Sequence, residues 1–308
     1  MRVVKVDPTK TPFHEGEREV QDRAGVRRMA EKIGISVDDS IPPPAQEFLR
    51  RRYVVQLGSV SPRGAVWASQ RVGPPRFVTC PDERTVRIEA AAVPGDPLLE
   101  NLRGDPHLGL LAIDLPTRRR YRVNGRASLE GRDAIVIRVD QAYGNCPKYI
   151  QRREPVEATE THPVEADVTR GTSLTAAQRA WIERADTFFL ATAHPGVGAD
   201  LSHRGGRPGF VHVQDDRTLV WPDYQGNTMF MSLGNLEVNP HAGLLFVDFD
   251  LGMTLQLTGR ARIDWDAARA ATFAGAQRLV ELEVDETIET RHASPLRWKL
   301  VEPSPSNP

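Results

Sequence analysis

Two stretches of this chain repeat each other about 134 residues apart, and any fold it adopts must accommodate that duplication. At a constant offset of 134, residues 101–128 and 235–262 agree at 11 of 28 positions, including Pro106/Pro240, His107/His241, Gly109/Gly243 and Asp114/Asp248. At an offset of 133, residues 69–88 and 202–221 agree at 9 of 20, among them Ser69/Ser202, Arg71/Arg204, Gly73/Gly206 and Phe77/Phe210. Unrelated sequence of ordinary composition agrees at roughly one position in sixteen. The chain is therefore read as two copies of one domain. A period this long is no solenoid repeat, because a unit of about 100 residues buries a core of its own.

The 308 residues suit two such domains. Forty basic against 41 acidic residues leave a formal net charge of −1, which gives no reason to expect a nucleic acid or a membrane surface as partner. No apolar run approaches the roughly 18 residues of a membrane span, and Met1-Arg2-Val3-Val4-Lys5-Val6 lacks a signal-peptide core, so a cytoplasmic protein is expected. Two cysteines, Cys80 and Cys146, cannot build a disulfide framework. The histidines (His14, His107, His162, His194, His203, His212, His241, His292) are scattered, and no metal-ligand spacing is present.

Residues 1–45 read as an N-terminal extension with one charged helical stretch, Glu17 to Ile33, closed by the stiff spacer Pro42-Pro43-Pro44. The first domain, 46–141, shows short β-branched runs at 76–79, 85–88, 108–115, 121–129 and 134–139 and a helix over 96–102 that Asp96 caps. Residues 142–174, dense in charge, Pro and Thr, read as the connecting segment. The second domain, 175–302, repeats the pattern: a helix capped by Thr175, strands at 188–193, 210–213, 218–221, 243–249, 253–263 and 280–284, and helices over 228–236 and 264–276. Short strands with one helix between strand pairs predict a mainly β fold with helices, a small β-barrel in each copy.

The second copy carries Ser202-His203-Arg204-Gly205-Gly206, then Tyr224-Gln225-Gly226-Asn227, Ser232 to Leu236, Asn239-Pro240, Leu244-Leu245-Phe246 and Gly259-Arg260-Ala261. In this order the motifs resemble the flavin-binding split-barrel family of pyridoxamine 5′-phosphate oxidase. The resemblance covers about residues 48–140 and 180–300 and implies two tandem split barrels with FMN in a cleft between them, its phosphate held near strand ends. Residue chemistry agrees: a guanidinium beside a hydroxyl gives a phosphate several charge-assisted donors, as Arg204, Ser202 and His203 would. Tyr224, Gln225, Gly226, Asn227 and Ser232 join the expected cofactor site, although Gly226 and Asn227 are equally explained as turn chemistry.

The first copy keeps Ser69 and Arg71 but adds Arg118-Arg119-Arg120-Tyr121-Arg122. Strand alternation would put Arg118, Arg120 and Arg122 on one face, where they pair with acids, with an anionic substrate or with the flavin phosphate. The loop Asn145-Cys146-Pro147-Lys148-Tyr149 looks like one found in larger, duplicated flavin split-barrel proteins of bacteria. Asn145, Cys146, Lys148 and Tyr149 are therefore expected at the flavin, with Cys146 either close to it or an inert thiol. The chain departs from the named oxidase in two places. Gly226-Asn227-Thr228 stands where that enzyme has a lysine after a hydroxyl residue, and Ser294 to Trp298 is only a loose counterpart of its substrate arginine and histidine. Flavin binding carries over; vitamin B6 chemistry does not. The expectation is an FMN-dependent oxidoreductase that forms a homodimer and acts on a small organic substrate, an anionic one among the candidates, with NAD(P)H or a protein as electron donor. A haem-binding split barrel, which needs a histidine or other axial ligand, and a flavin binder without turnover are the alternatives.

Overall fold

Runs of β-branched residues broken by glycine, proline and aspartate make the chain a succession of short antiparallel strands. The computed structural model describes residues 11–156 and 166–308. His162 and part of the connecting segment lie outside that range. Three helices open the described chain: α1 (Glu15–Arg23), α2 (Arg27–Gly34) and α3 (Pro43–Arg50). The first half continues as β1 (Val54–Val60), β2 (Val66–Val72), β3 (Val78–Asp82), β4 (Thr85–Ile88), α4 (Leu98–Gly104), β5 (His107–Asp114), β6 (Arg119–Glu130) and β7 (Ala134–Asn145). Strands β8 (Arg152–Val156) and β9 (Asp167–Gly171) lie between the halves. The second half holds α5 (Ala176–Arg184), β10 (Thr187–His194), β11 (Gly198–Gly205), β12 (His212–Val213), β13 (Thr218–Asp223) and α6 (Met231–Val238). It ends with β14 (His241–Asp248), β15 (Met253–Asp264), α7 (Ala267–Ala270), β16 (Arg278–Arg291) and β17 (Arg297–Glu302).

The sequence repeat is a repeat of strand order. The first sheet runs β2-β1-β5-β6-β7-β4-β3 and the second β11-β10-β14-β15-β16-β13-β12, so each strand has its partner in the other copy. A bulge interrupts β6 against β7 between Asn124 and Gly125, and another interrupts β15 against β16 between Thr258 and Gly259. The Ala127 amide donates to Pro106 O at 2.7 Å and the Ala261 amide to Pro240 O at 2.6 Å. These are the two split-barrel bodies that the sequence implies.

The bodies pack on one another within the chain. Val66, Ala68, Leu111 and Ile113 of the first interdigitate with Phe189, Ala191, Leu201 and Leu245 of the second in a shared buried cluster. The backbones approach closely there. A Cβ on Gly109 would lie 2.8 Å from Asp200 Cα, and one on Gly243 would lie 2.7 Å from Trp67 Cα, so the matched glycines of the repeat serve the same contact seen from either side. Two polar contacts cross with the same relation: Arg122 Nη1 donates to Asp200 Oδ1 at 2.9 Å, and Gln256 Nε2, 134 positions on, donates to Ala68 O at 2.9 Å.

Several local expectations need correction. The stretch Glu17 to Ile33 is two helices, broken where Gly25 turns with φ +69°. The prolines do not act as a spacer: Pro43 and Pro44 open α3, where a missing N–H costs nothing. Arg118 precedes β6 with φ +55° and donates to Ile150 O and Glu302, so it does not share a face with Arg120 and Arg122. The helix expected over 264–276 is only the single turn α7. The connecting segment carries strands of its own, β8 pairing with β17 and β9 with β16. Among the described residues no helix is long and apolar enough to cross a membrane.

Candidate functional site

Ser202, His203 and Arg204 are the last residues but one of β11, held in the sheet by β10 opposite Leu190, Phe189 and Phe188. They open into a cavity of about 200 Å³ lined by both halves and by the turn after α1. From the first half come Arg120, Arg122, Asn145, Cys146, Lys148 and Tyr149; from the second come Ser202 to Arg204, Asp223 to Thr228, Phe230 to Leu233 and Arg278. All twelve residues expected at the cofactor line it.

The walls are tied together across the two halves. Asn227 Nδ2 donates to Asn145 Oδ1 at 2.9 Å, and the Tyr149 hydroxyl donates to Gln225 O at 3.0 Å. Tyr149 and Tyr224 stand with ring centroids 5.2 Å apart, tilted by 34°. Gln225 and Gly226 lie exposed at the rim. Thr228 and Phe230 take left-handed backbone (φ 64° and 58°), which turns the chain sharply into α6 and brings Ser232 beneath the cavity. There Ser232 Oγ lies 3.0 Å from Asp200 Oδ2 and 2.9 Å from Ser202 Oγ. Cys146 is half-buried in the lining, whereas Cys80 is a core thiol that burial pushes up to about 11.

The electrostatics are lopsided. Five cations, Arg120, Arg122, Lys148, Arg204 and Arg278, line the cavity. Asp223 is shared by Arg204 and Arg278, at 2.7 Å each, and Asp200 is taken by Arg122 at 2.9 Å. Among the described residues neither Arg120 nor Lys148 has an acidic partner within 4.0 Å. Burial, reinforced by Arg122 and Arg204, drives the Arg120 guanidinium down to about 9. Burial and then Arg120, Arg153 and Arg204 hold His203 well below the usual imidazole range, so its ring is neutral at pH 7. Both ring nitrogens of His203 and the Nε atoms of Arg120, Arg204 and Arg278 are buried without a partner among the described residues. Each such group costs about 1–3 kcal/mol unless something bonds it, and an anion would satisfy several together.

Arg278 and Asp223 escaped the sequence reading, and Arg120 and Arg122 entered it only as an unassigned cluster. Arg278 opens β16 after an Ala-rich run, and only the β13–β16 pairing sets it opposite Asp223. Ala24 and Val26 of the N-terminal extension line the cavity with no sequence signal at all. His14, Glu15 and His194 also cluster, apart from this cavity. Each of the two rings accepts a backbone N–H at Nδ1, from Gly16 and Gly196, and bonds Asn235 or Glu15 through Nε2.

The family model of pyridoxamine 5′-phosphate oxidase matches this chain twice, over residues 41–170 and 174–297. Solved structures similar to it each span one copy's worth of chain. The FAD binding protein from Mycobacterium smegmatis is 17% identical, covering 39% of this chain and 98% of its own, with a TM-score of 0.29. A Clostridium acetobutylicum protein of the pyridoxinephosphate oxidase family, related to general stress protein 26, is 13% identical, covering 39% and 89% with a TM-score of 0.30. HupZ of Group A Streptococcus is 14% identical, covering 36% and 90% with a TM-score of 0.30. No curated protein matches the chain. With both halves matched and their strand orders the same, the chain belongs to the pyridoxamine 5′-phosphate oxidase family as a tandem duplication of its domain.

Proposed function

We propose that the chain binds FMN in this cavity and uses it as an oxidoreductase on a small organic substrate. The observation that carries the reading is Arg120: a guanidinium buried among other cations, without a carboxylate, is stable only beside an anion, and a phosphate dianion fits. Arg120 and Arg204 would grip that phosphate in their forks, and Ser202 and the neutral His203 ring would add uncharged donors. Tyr224, Tyr149, Phe230 and Met231 offer flat and apolar surface to an aromatic ring system. When bound, the flavin supplies a two-electron, hydride-accepting centre. The protein's part is to orient that ring, shield it from water and place the Lys148 ammonium near it. NAD(P)H or a protein is the expected donor.

The test is the absorption spectrum of the protein as isolated, followed by release and chromatographic identification of its chromophore. Flavin bands and released FMN are expected. A colourless protein that takes up no FMN would sink the reading. A second reading, haem binding, is favoured by one observation: His203, neutral and with both ring nitrogens unpartnered among the described residues, could serve as an axial ligand. A Soret band that disappears in His203→Ala would establish it.

A further inference from the structure

The duplication generates a second position related to the cavity by the same exchange of halves. Sheet register fixes the equivalences. Ser69 and Arg71 on β2 correspond to Ser202 and Arg204 on β11, and Thr254 and Gln256 on β15 correspond to Arg120 and Arg122 on β6. Val139 faces Gly125 as Val284 faces Gly259, which places Asp133 where the second half has Arg278. The twin position thus keeps one of four arginines, replaces two with uncharged side chains and turns the last into an acid.

What surrounds the retained arginine differs as well. Arg71 is fully buried, makes no ion pair within 4.0 Å among the described residues and leaves Nε and Nη2 without a partner there, but the charges that act on it are the acids Asp96 and Asp133 rather than other arginines. Asp96 Oδ1 accepts from Ser69 Oγ at 2.9 Å and from the Leu98 amide at 2.8 Å, while its Oδ2 accepts from Gln256 Nε2 at 3.3 Å. The carboxylate therefore occupies the hydroxyl that a phosphate would use. A strand completes the change. In the cavity, Asn145 and Cys146 at the end of β7 are free to line the site; the equivalent end of β16, Thr287 to Arg291, is paired along its length by β9. Val168 of β9 packs against Gly95, where an added Cβ would meet it at 2.5 Å, and the exposed Arg170 donates to the Gly95 carbonyl.

We infer that the chain holds one site for a phosphate-bearing cofactor, and that its pseudo-symmetric twin is a structural joint in which Asp96 holds the serine hydroxyl and β9 closes the edge. The identity of the ligand rests on the function proposed above; the single-site inference rests on Asp96 bonding Ser69 and on β9 closing the twin position.

Two measurements test it. The full-length apoprotein is titrated with FMN by fluorescence quenching. One FMN per chain is expected, with affinity at least tenfold weaker in Arg120→Met and unchanged within twofold in Arg71→Met. Two FMN per chain, or lost affinity in Arg71→Met, overturns the inference. Thermal melting without ligand is the second measurement. Asp96→Asn, a near-isosteric change, should lower the midpoint by several degrees, whereas Arg120→Met should leave it unchanged or raise it, because it removes an unneutralised buried charge. Equal losses in Arg120→Met and Asp96→Asn overturn the inference. If the wild type takes up no FMN, the proposed function falls and the melting comparison alone decides the single-site question.

Discussion

Arginines in this cavity differ less in position than in what neutralises them, and that difference ranks them. Arg204 and Arg278 already share Asp223, and Arg122 has Asp200, so each has a carboxylate whether or not a ligand is present. Removing one charge-assisted phosphate contact costs on the order of 1.5–3 kcal/mol, so Arg204→Ala should weaken FMN retention roughly ten- to a hundredfold, measured by equilibrium dialysis. Unchanged affinity would remove Arg204 from the site. Lys148 poses a separate question, since a cation beside the N1–O2 edge of the flavin ring favours the reduced, anionic form. Lys148→Met should lower the measured flavin potential and leave the melting temperature unchanged; a wild-type potential would assign the lysine to the rim alone. The Ser-His-Arg run was legible because those residue types sit together in the chain. Arg278 and Asp223 were not, because they are 55 residues apart and meet only through a strand pairing.

At the scale of elements, one bulge interrupts the pairing of each long strand, β6 and β15. Gly125 and Gly259 sit at the two irregularities, and a Cβ at either would lie 2.0 Å from a backbone oxygen of the neighbouring strand, Arg138 O or Glu283 O. Backbone has no rotamer to escape into, so Gly125→Ala and Gly259→Ala should each cost about 1–3 kcal/mol or more in urea unfolding. A neutral result at either position would mean that the bulge is not what selects glycine. Strand existence was readable from β-branched runs, but β2 and β11 were not identified as whole strands. Val66 to Val72 and Gly198 to Gly205 are rich in Ser, Gln, Arg and Gly because they pass from the core between the halves into polar surroundings, and that mixture hides the period of two. The prolines misled for a related reason: Pro43 and Pro44 are incompatible with a helix interior, yet they lie in the first turn, where the rule reverses.

For the whole molecule, the N-terminal extension acts as a strap between the bodies. His14 donates Nε2–H to Asn235 Oδ1 at 2.9 Å, and Gln21 Nε2 donates to Met229 O at 2.9 Å, so α1 fastens both α6 and the left-handed turn that leads from Thr228 into the cavity wall. Nothing in residues 11–45 announces this, because the contacts lie more than 200 positions away in sequence. Glu17 is the costly member of the strap. Its side chain is 4% exposed, its Oε2 accepts the His14 amide at 2.8 Å, and burial, with Asp200 adding repulsion, raises it from 4.5 to about 9 against the weaker pull of Arg122. A carboxyl that is protonated in the folded chain and ionises at 4.5 once unfolded gives stability that is fully present below about 4.5 and is lost as pH climbs toward 9. The wild-type melting temperature should therefore fall between pH 5 and pH 8. Glu17→Gln keeps the carbonyl that accepts the His14 amide and carries no charge to desolvate, so it should melt above the wild type at pH 8 and with a flatter pH profile. Parallel profiles for the two proteins would mean that Glu17 ionises in the folded chain and that the strap is held by α1 packing alone.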